Sequence, residues 1–124
     1  MMHLTLIRHG KSDWNEPGIP DFDRPLNARG RGDLPTMAAR WRDHHPLPDQ
    51  VIASPAVRAA TTARGLLLEL DLPTEQIEYQ AALYLASADM IWRVIHAHAR
   101  GRELWVVGHN EGISELAAAL VPME

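Results

Sequence analysis

The sequence has 124 residues, the size of a single domain, so we expect one domain over residues 1–124. Its 46% hydrophobic and 23% charged residues exclude wholesale disorder, and its net charge of −4 argues against nucleic-acid binding, which usually needs a basic face. The absence of cysteine excludes disulfides, thiolate metal sites and cysteine nucleophiles, and it fits a cytoplasmic protein.

Charged residues also interrupt every apolar segment. The longest run without a formal charge, Tyr79–Ala88, has ten residues, whereas roughly 18 are needed to cross a bilayer. A cleaved secretory signal is not expected, because no basic segment precedes the first apolar run. We therefore expect no membrane partner.

The first third of the chain predicts a strand, a long loop and a helix. His3–Ile7 is a short run of β-forming residues that predicts a strand, and the three prolines of Lys11–Pro25 predict a loop. Asn27 is expected to cap a helix that runs to about His45, in which Pro35 either introduces a kink or marks the true start. The buried face of this helix is expected to hold Leu34, Met37, Ala38 and Trp41.

The middle of the chain predicts a second strand, Gln50–Ala53, followed by a helix. Ser54-Pro55 supplies a cap and a first-turn proline for this helix, which we expect to continue to about Leu70. The residues expected to reach the core from it are Val57, Ala60, Thr61, Leu67 and Leu68.

The last third predicts a minor strand, a helix, a third buried strand and a final helix. These are Gln76–Tyr79, a helix capped by Ser87 or Asp89 that runs to about Ala99, Leu104–Val107, and a helix capped by Asn110 that runs to about Leu120. Strands that alternate with helices predict right-handed crossovers and a mainly parallel sheet covered on both faces. The predicted fold class is therefore α/β, with three layers.

A polar group follows each of the three apolar strands. These groups are Arg8-His9-Gly10, the segment from Ser54 to Arg58, and Gly108-His109-Asn110. Ligands of such sheets bind beyond the carboxyl ends of the strands, so we expect the groups to share one site. Arginines and helix N-termini together favour an anion, either a phosphate or a carboxylate.

The chain resembles the histidine phosphatase superfamily in three segments around these groups: LIRHGKSDWN, VIASPAVRAATTA and VVGHNEGISELA. Members of this superfamily carry phosphate on a histidine. The stretch DFDRPLNARGR, the small size and the lack of an obvious cap insertion are similar to the SixA-type phosphohistidine phosphatases. The resemblance covers essentially the whole chain. It implies a phosphoglycerate mutase-like α/β/α sandwich and a phosphatase that acts on a phosphorylated protein.

The resemblance also implies a role for each residue of the site. His9 would be the nucleophile, and Arg8, Arg58 and His109 would complete the catalytic set and bind the phosphate. Weaker phosphate contacts are implied for Asn15 and Ser54.

The chemistry of these residue types agrees with those roles. A neutral imidazole can attack phosphorus through one nitrogen while the other donates to a backbone carbonyl, and nearby arginines lower its pKa and stabilise the equatorial oxygens. Because arginines supply the positive charge, we expect no metal or other cofactor. The other histidines do not suggest a metal site, since His96 and His98 lie about 160° apart on their predicted helix.

One departure from the family concerns the general acid. In the acid phosphatase branch an Asp directly follows the second histidine, and Asn110 stands at that position here. The acids that remain as candidates are Glu16, Asp21, Asp23 and Glu78. A missing acid matters less for phosphohistidine, because a phosphoramidate can be protonated at its own nitrogen.

A second departure concerns the end of the sequence. Members of the family continue past the last helix into at least one further strand, whereas this sequence stops at Val121-Pro122-Met123-Glu124. The resemblance therefore implies a sheet that lacks its C-terminal edge strand, and such an edge can pair with another chain.

Three functions remain open from the sequence. The leading one is a phosphatase for phosphohistidine on a protein, with a covalent phosphohistidine intermediate. The second is a phosphatase or mutase of small phosphate esters, and the third is a module that binds phosphate or a phosphopeptide without turnover. The sequence names neither the substrate nor the oligomeric state.

Overall fold

Four parallel strands form the centre of the fold in a computed structural model, which describes residues 2–14 and 17–120. The strands are β1 (His3–Arg8), β2 (Gln50–Ala53), β3 (Ile77–Tyr79) and β4 (Glu103–Gly108), in the spatial order β1-β4-β2-β3. All three pairings are parallel, with Arg8 opposite Gly108 and Ala53 opposite Val107. The carboxyl ends of β1, β4 and β2 therefore lie side by side.

Four helices cover the two faces of this sheet. They are α1 (Ala28–His44), α2 (Val57–Glu69), α3 (Ala88–His98) and α4 (Gly112–Leu120), and short 3₁₀ helices form at Asp21–Asp23, Thr74–Gln76 and Ala81–Leu83. Helices α1 and α2 pack on one face, and α3 and α4 pack on the other. The predicted three-layer α/β/α sandwich is confirmed.

The core divides into two clusters because successive side chains of a strand point to opposite faces of the sheet. In β4, Trp105 and Val107 face α1 and α2, whereas Leu104 and Val106 face α3 and α4. These four side chains are at most 2% exposed. Strands buried on both faces explain why the sequence shows continuous apolar runs rather than alternation.

The predicted cap of α2 is wrong. The N-cap position is Ala56, without a side-chain cap, so the helix begins three residues after Ser54. The predicted buried face is also wrong except for Leu67, since Leu68 is 65% exposed while Arg58, Ala59, Thr62, Ala63 and Leu66 are buried. Small and apolar residues occur all around this helix, so its pattern does not identify the buried side.

Helix α1 begins as predicted and continues through its proline. The Oδ1 atom of Asn27 accepts a hydrogen bond from the Gly30 N–H at 2.8 Å, which confirms the cap. Pro35 lies inside the helix on its exposed side. Leu34 and Ala38 are buried as predicted, but Met37 is exposed, so the predicted face was too wide.

The remaining predicted elements form within one or two residues of their expected bounds. Ser87, rather than Asp89, caps α3, and its hydroxyl accepts from the Met90 N–H at 3.2 Å. Helix α4 begins later than predicted, and Asn110 accepts from the Ser114 N–H at 3.1 Å. The expected loss of an edge strand partly depends on residues 121–124, which lie outside the described residues. Within the described sheet, β1 forms one edge.

Within residues 2–14 and 17–120, no helix combines the length and apolar character that a bilayer crossing requires.

Candidate active site

The three predicted polar groups meet at the carboxyl edge of the sheet. Arg8 ends β1, His109 follows β4, and Ser54 follows β2, and these strands are neighbours. Arg58 comes to the same place from the first turn of α2, because α2 begins at Val57. The sheet order, together with the start of α2, therefore assembles the site.

His9 is held as one tautomer of its neutral form. Its Nδ1 donates to the backbone oxygen of Gly10 at 2.6 Å, and Nε2 accepts from Nε of Arg58 at 3.2 Å. Because an arginine nitrogen only donates, Nε2 carries the lone pair. Burial lowers the pKa of His9 below its usual value, and the charges of Arg58 and Arg8 lower it further, although its bond to Gly10 acts in the opposite direction. This geometry keeps Nε2 unprotonated and nucleophilic at neutral pH.

Arg58 is almost completely buried and is bound to Asp21. Its Nη1 donates to the backbone oxygen of Asp21 at 2.6 Å, and its Nη2 donates to the carboxylate at 3.0 Å. That carboxylate also accepts from the Tyr84 hydroxyl and pairs with Arg24 at 3.2 Å. The Tyr84 hydrogen bond and Arg58 lower the pKa of Asp21, so it is a carboxylate at neutral pH and cannot serve there as a general acid.

Thr62 links the loop after β1, which carries His9, to α2. Its hydroxyl accepts from the Gly10 N–H at 3.0 Å and donates to the Arg58 backbone oxygen at 2.8 Å, one turn earlier in the helix. Thr62 is fully buried. The contact fixes the backbone beside His9 relative to the helix that carries Arg58.

His109 is a buried neutral histidine with one unpaired nitrogen. Its Nε2 lies 2.8 Å from the Ser54 hydroxyl oxygen, and its Nδ1 has no hydrogen-bond partner among the described residues. Burial, followed by the charge of Arg58 and by His9, lowers the pKa of His109 to about 4. Its ring lies edge-on to that of His9, with centroids 5.1 Å apart. A buried polar atom without a partner is uncommon and marks a place where a ligand can bind.

The Ser54 hydroxyl determines which nitrogen of His109 carries the proton. Its oxygen accepts from the Ala56 N–H at 3.3 Å, and because Ser54 is fully buried its hydrogen needs an acceptor. Nε2 of His109 is the acceptor within reach. The proton of the imidazole is thereby assigned to Nδ1, the unpaired atom, which becomes a donor for an anion.

A cavity of about 440 Å³ opens in front of these residues. Arg8, His9, Lys11, Trp14 and Asn110 are among its lining residues, whereas Arg58 and His109, which adjoin His9, are not. Two cationic side chains, Arg8 and Lys11, therefore stand on the wall of the cavity, and a third, Arg58, is bound to His9. None of the described lining residues is a carboxylic acid.

Several predicted site residues are not among the described residues that form the site. Asn15 and Glu16 lie outside the described residues. Glu78 is bound by Arg100 at 2.7 Å and by Gln50 at 3.1 Å at the opposite end of the sheet, and the hydrogen bond from Arg100 lowers its pKa. Asp23 is exposed and does not line the cavity. Among the described acid candidates, only Asp21 therefore lies at the site.

Three side chains of the site were not predicted from the sequence: Thr62, Tyr84 and Trp14. Thr62 lies four residues after Arg58, so helical spacing alone could have found it. Tyr84 follows the 3₁₀ helix Ala81–Leu83 and reaches Asp21 across the fold, and no local pattern indicates this contact.

Several known proteins are similar to this chain over most of its length. A Mycobacterium tuberculosis protein is 33% identical over 115 residues, which cover 92% of this chain and 69% of that protein. A chloroplastic protein of Arabidopsis thaliana is 25% identical over 126 residues, and the chain spans only 58% of its length.

The structural similarities cover most of the chain. A presumed phosphohistidine phosphatase, SixA, from Agrobacterium tumefaciens is 28% identical, with a TM-score of 0.85 over 95% of this chain and 75% of that one. A presumed α-ribazole-5′-P phosphatase from Escherichia coli shares the fold at 22% identity, with a TM-score of 0.72 over 99% of this chain and 81% of that one.

The family comparison agrees with the geometry at the sheet edge. The profile of the histidine phosphatase superfamily (branch 1) matches residues 4–83, more than half of the chain, and this range includes His9 and Arg58. The phosphatase signature segments, the fold and the SixA-like neighbour all point to the same group. The chain belongs to branch 1 of the histidine phosphatase superfamily.

Proposed function

We propose that this chain is a metal-independent phosphatase that removes phosphate from phosphohistidine on a protein through a phosphohistidine intermediate at His9. The observation that carries the proposal is the tautomer of His9, whose Nδ1–H is held by the Gly10 carbonyl while its Nε2 lone pair remains available. A cytoplasmic location belongs to the same proposal and is supported by the lack of cysteine.

The reaction has two displacements at phosphorus. In the first, Nε2 of His9 forms a bond to phosphorus as the substrate's P–N bond breaks, and the leaving imidazole keeps the bonding electron pair and a proton taken up on its nitrogen. In the second, water attacks the phosphorus of phosphorylated His9, the proton of the water goes to solvent, and Nε2 regains its lone pair with release of phosphate.

The charged and polar neighbours of His9 stabilise these steps. Arg8 and Arg58 supply the positive charge that the equatorial phosphate oxygens require, and Nδ1–H of His109 supplies a neutral donor. To receive phosphorus, Nε2 must release the Nε–H of Arg58, which then can donate to a phosphate oxygen. The same N–H of Arg58 thus binds Nε2 of His9 in the free protein and a phosphate oxygen in the phosphorylated protein.

The proposed substrate class is supported by the lack of a general acid among the described residues of the cavity. Asp21 is ionised, Glu78 is remote, and no described cavity residue is a carboxylic acid. An alkoxide leaving group needs a proton donor, whereas the imidazole of a phosphoramidate leaves after protonation from solvent. The arrangement therefore favours phosphohistidine over a phosphate ester.

Trapping the intermediate tests the proposal. Wild-type protein mixed with phosphohistidine and quenched rapidly should carry an acid-labile, alkali-stable phosphate on His9, identified by mass spectrometry. His9→Ala should carry no label and lose turnover by at least about a thousandfold, because it removes the nucleophile. Its melting temperature should stay close to that of the wild type, since His9 does not belong to the core clusters.

Other outcomes identify the alternatives. Turnover that persists in His9→Ala would exclude this mechanism. Turnover of sugar and glycerate phosphates without turnover of phosphohistidine would indicate a small-ester phosphatase, and phosphate binding with neither turnover nor a phosphoenzyme would indicate a binding module.

A further inference from the structure

The indole of Trp14 is exposed at the cavity of the proposed phosphatase, and the reaction described above does not use it. Trp14 is 74% exposed, the most of any large hydrophobic side chain among the described residues. It lines the same 440 Å³ cavity as His9 and Arg8. An exposed indole at the wall of a reaction cavity offers a flat apolar surface to whatever enters it.

One face of the Trp14 ring is covered and held by the site itself. The guanidinium carbon of Arg24 lies 3.4 Å from the ring centroid, and Arg24 pairs with Asp21, the carboxylate that binds Arg58. The ring is thus connected through two ion pairs to the arginine beside the nucleophile. Because the ring is mostly exposed although Arg24 covers one face, its other face is open.

The backbone next to Trp14 is also held. The N–H of Asp13 donates to the carbonyl of Pro25 at 2.8 Å, and Ser12 forms an antiparallel bridge with Leu26. The N–H of Asn27 donates to the carbonyl of Lys11 at 2.8 Å. These contacts join the two ends of the long loop immediately before Trp14, so the position of the ring relative to His9 is set by backbone hydrogen bonds.

The in-line geometry of phosphoryl transfer relates Trp14 to the leaving group. His9 is partly buried, and a leaving group must lie on the side of phosphorus opposite the attacking Nε2. Trp14 and His9 line the same cavity, so a leaving group that extends from phosphorus into this cavity can contact the exposed ring of Trp14.

We propose that Trp14 is a specificity-determining residue whose open face stacks on the planar imidazole of the substrate phosphohistidine. Stacking recognises a flat ring without hydrogen bonds and positions its P–N bond for in-line attack. This role rests on the proposed function, since it requires that the substrate's leaving group be an imidazole.

Two substrates with the same P–N bond test the role. Free phosphohistidine carries a planar leaving group, whereas the phosphoramidate ion carries ammonia and no ring, and neither includes a protein surface. Trp14→Leu should lower kcat/KM for phosphohistidine by roughly three- to tenfold and change that for phosphoramidate by less than about twofold. Trp14→Phe, which keeps an aromatic plane, should retain most of the phosphohistidine activity.

Trp92→Leu is the matched control. Trp92 is a partly exposed tryptophan on α3 whose ring contacts His96, and it does not line the cavity. It should leave both activities unchanged. Melting temperatures of all variants would verify that the fold is retained.

The outcomes separate this inference from the function on which it rests. A wild-type protein that hydrolyses neither substrate would overturn the proposed function and the role of Trp14 with it. An active wild type whose Trp14→Leu variant loses both activities equally, or neither, would overturn the stacking role alone. A loss seen only with a phosphorylated protein, and not with free phosphohistidine, would assign Trp14 to protein docking and also overturn it.

Discussion

Ser54 is a buried residue whose hydroxyl binds His109 and does not cap α2. It stands between the Ala56 N–H, from which it accepts, and Nε2 of His109, to which it donates. The hydroxyl therefore fixes the imidazole tautomer that carries its proton on Nδ1. In the proposed reaction, Ser54 acts through His109 and is a positioning residue.

Ser54→Ala is expected to lower kcat/KM for phosphohistidine by about tenfold, because a neutral His109 without this donor is free to adopt the tautomer that lacks a proton on Nδ1. The phosphate should still be trapped on His9, since the nucleophile is unchanged. Ser87→Ala is the control: it removes the cap of α3 and should cost about 1 kcal/mol of stability without changing kcat/KM. Equal kinetics in Ser54→Ala and wild type would contradict the assigned tautomer.

The placement of His9 and Arg58 at the sheet edge could be predicted because each lies a fixed distance after an apolar strand, and parallel strands end at the same edge. The bond between Arg58 and Asp21 could not, because 37 residues and a loop separate the two. The same limit applies to Tyr84. Local patterns predict which residues reach a site, whereas long-range pairing determines which of them are already bound to each other there.

At the scale of elements, α1 holds the loop that carries His9 through a close backbone contact. Gly30 is buried in the first turn of α1, and a Cβ at this position would lie 2.9 Å from the backbone nitrogen of Lys11 and closer still to its carbonyl oxygen. Lys11 follows Gly10 directly, and it binds the Asn27 N–H. Glycine at this position therefore allows the loop after His9 to pack on the start of the helix.

Gly30→Ala and Gly32→Ala should have opposite effects although both lie in α1. A Cβ at Gly32 meets nothing within 4 Å, so Gly32→Ala should stabilise the protein by roughly 0.5 to 1 kcal/mol through helix propensity, with unchanged activity. Gly30→Ala should displace Lys11 and lower the melting temperature. It should also reduce kcat/KM, because His9 lies only two residues before Lys11 in the chain. Thermal unfolding and steady-state kinetics would check both; a Gly30→Ala protein as stable and active as Gly32→Ala would refute the packing argument.

Helix α2 illustrates why element bounds were easier to predict than element faces. Its approximate span follows from the strand before it and the loop after it, but its buried side includes Arg58 and Thr62, which a hydrophobic pattern assigns to solvent. Burial of these two residues depends on their bonds to His9 and Gly10. These hydrogen bonds, together with hydrophobic burial, therefore determine which side of α2 faces the interior.

At the scale of the whole molecule, the three-layer fold follows from the alternation of strands and helices, but the strand order β1-β4-β2-β3 does not. Pairing of β1 with β4 joins residues 100 apart in the chain, and the sequence contains no local signal for that choice. The order matters for chemistry because it places His9 of the loop after β1 beside His109 of the loop after β4. Long-range pairing thus buries two neutral histidines together, next to Arg58.

This burial makes the stability of the whole molecule depend on pH. In the folded protein the pKa of His109 is about 4, below the usual 6.5, and that of His9 is lowered as well. Between pH 4 and pH 6.5 the unfolded chain binds more protons than the folded one. The free energy of unfolding therefore rises with pH across this window. The contribution is fully present above pH 6.5 and is lost as the pH falls toward 4. Asp21 and Glu78, whose pKa values are lowered from 3.8 and 4.5, lose their contributions mainly below this window.

We therefore expect the free energy of unfolding, measured by urea denaturation, to be about 2 kcal/mol lower at pH 5 than at pH 7, most of it from His109. His109→Gln removes the titrating group and keeps a buried polar side chain, so its stability should change much less between the two pH values even if it is lower at both. His44→Gln, which replaces an exposed histidine at the end of α1, is the control and should keep the wild-type dependence. The comparison uses the difference between two pH values within each variant, so a general loss of packing in His109→Gln does not imitate the effect. A wild-type slope that survives unchanged in His109→Gln would mean that His109 is not the neutral buried histidine on which the phosphate donor role depends.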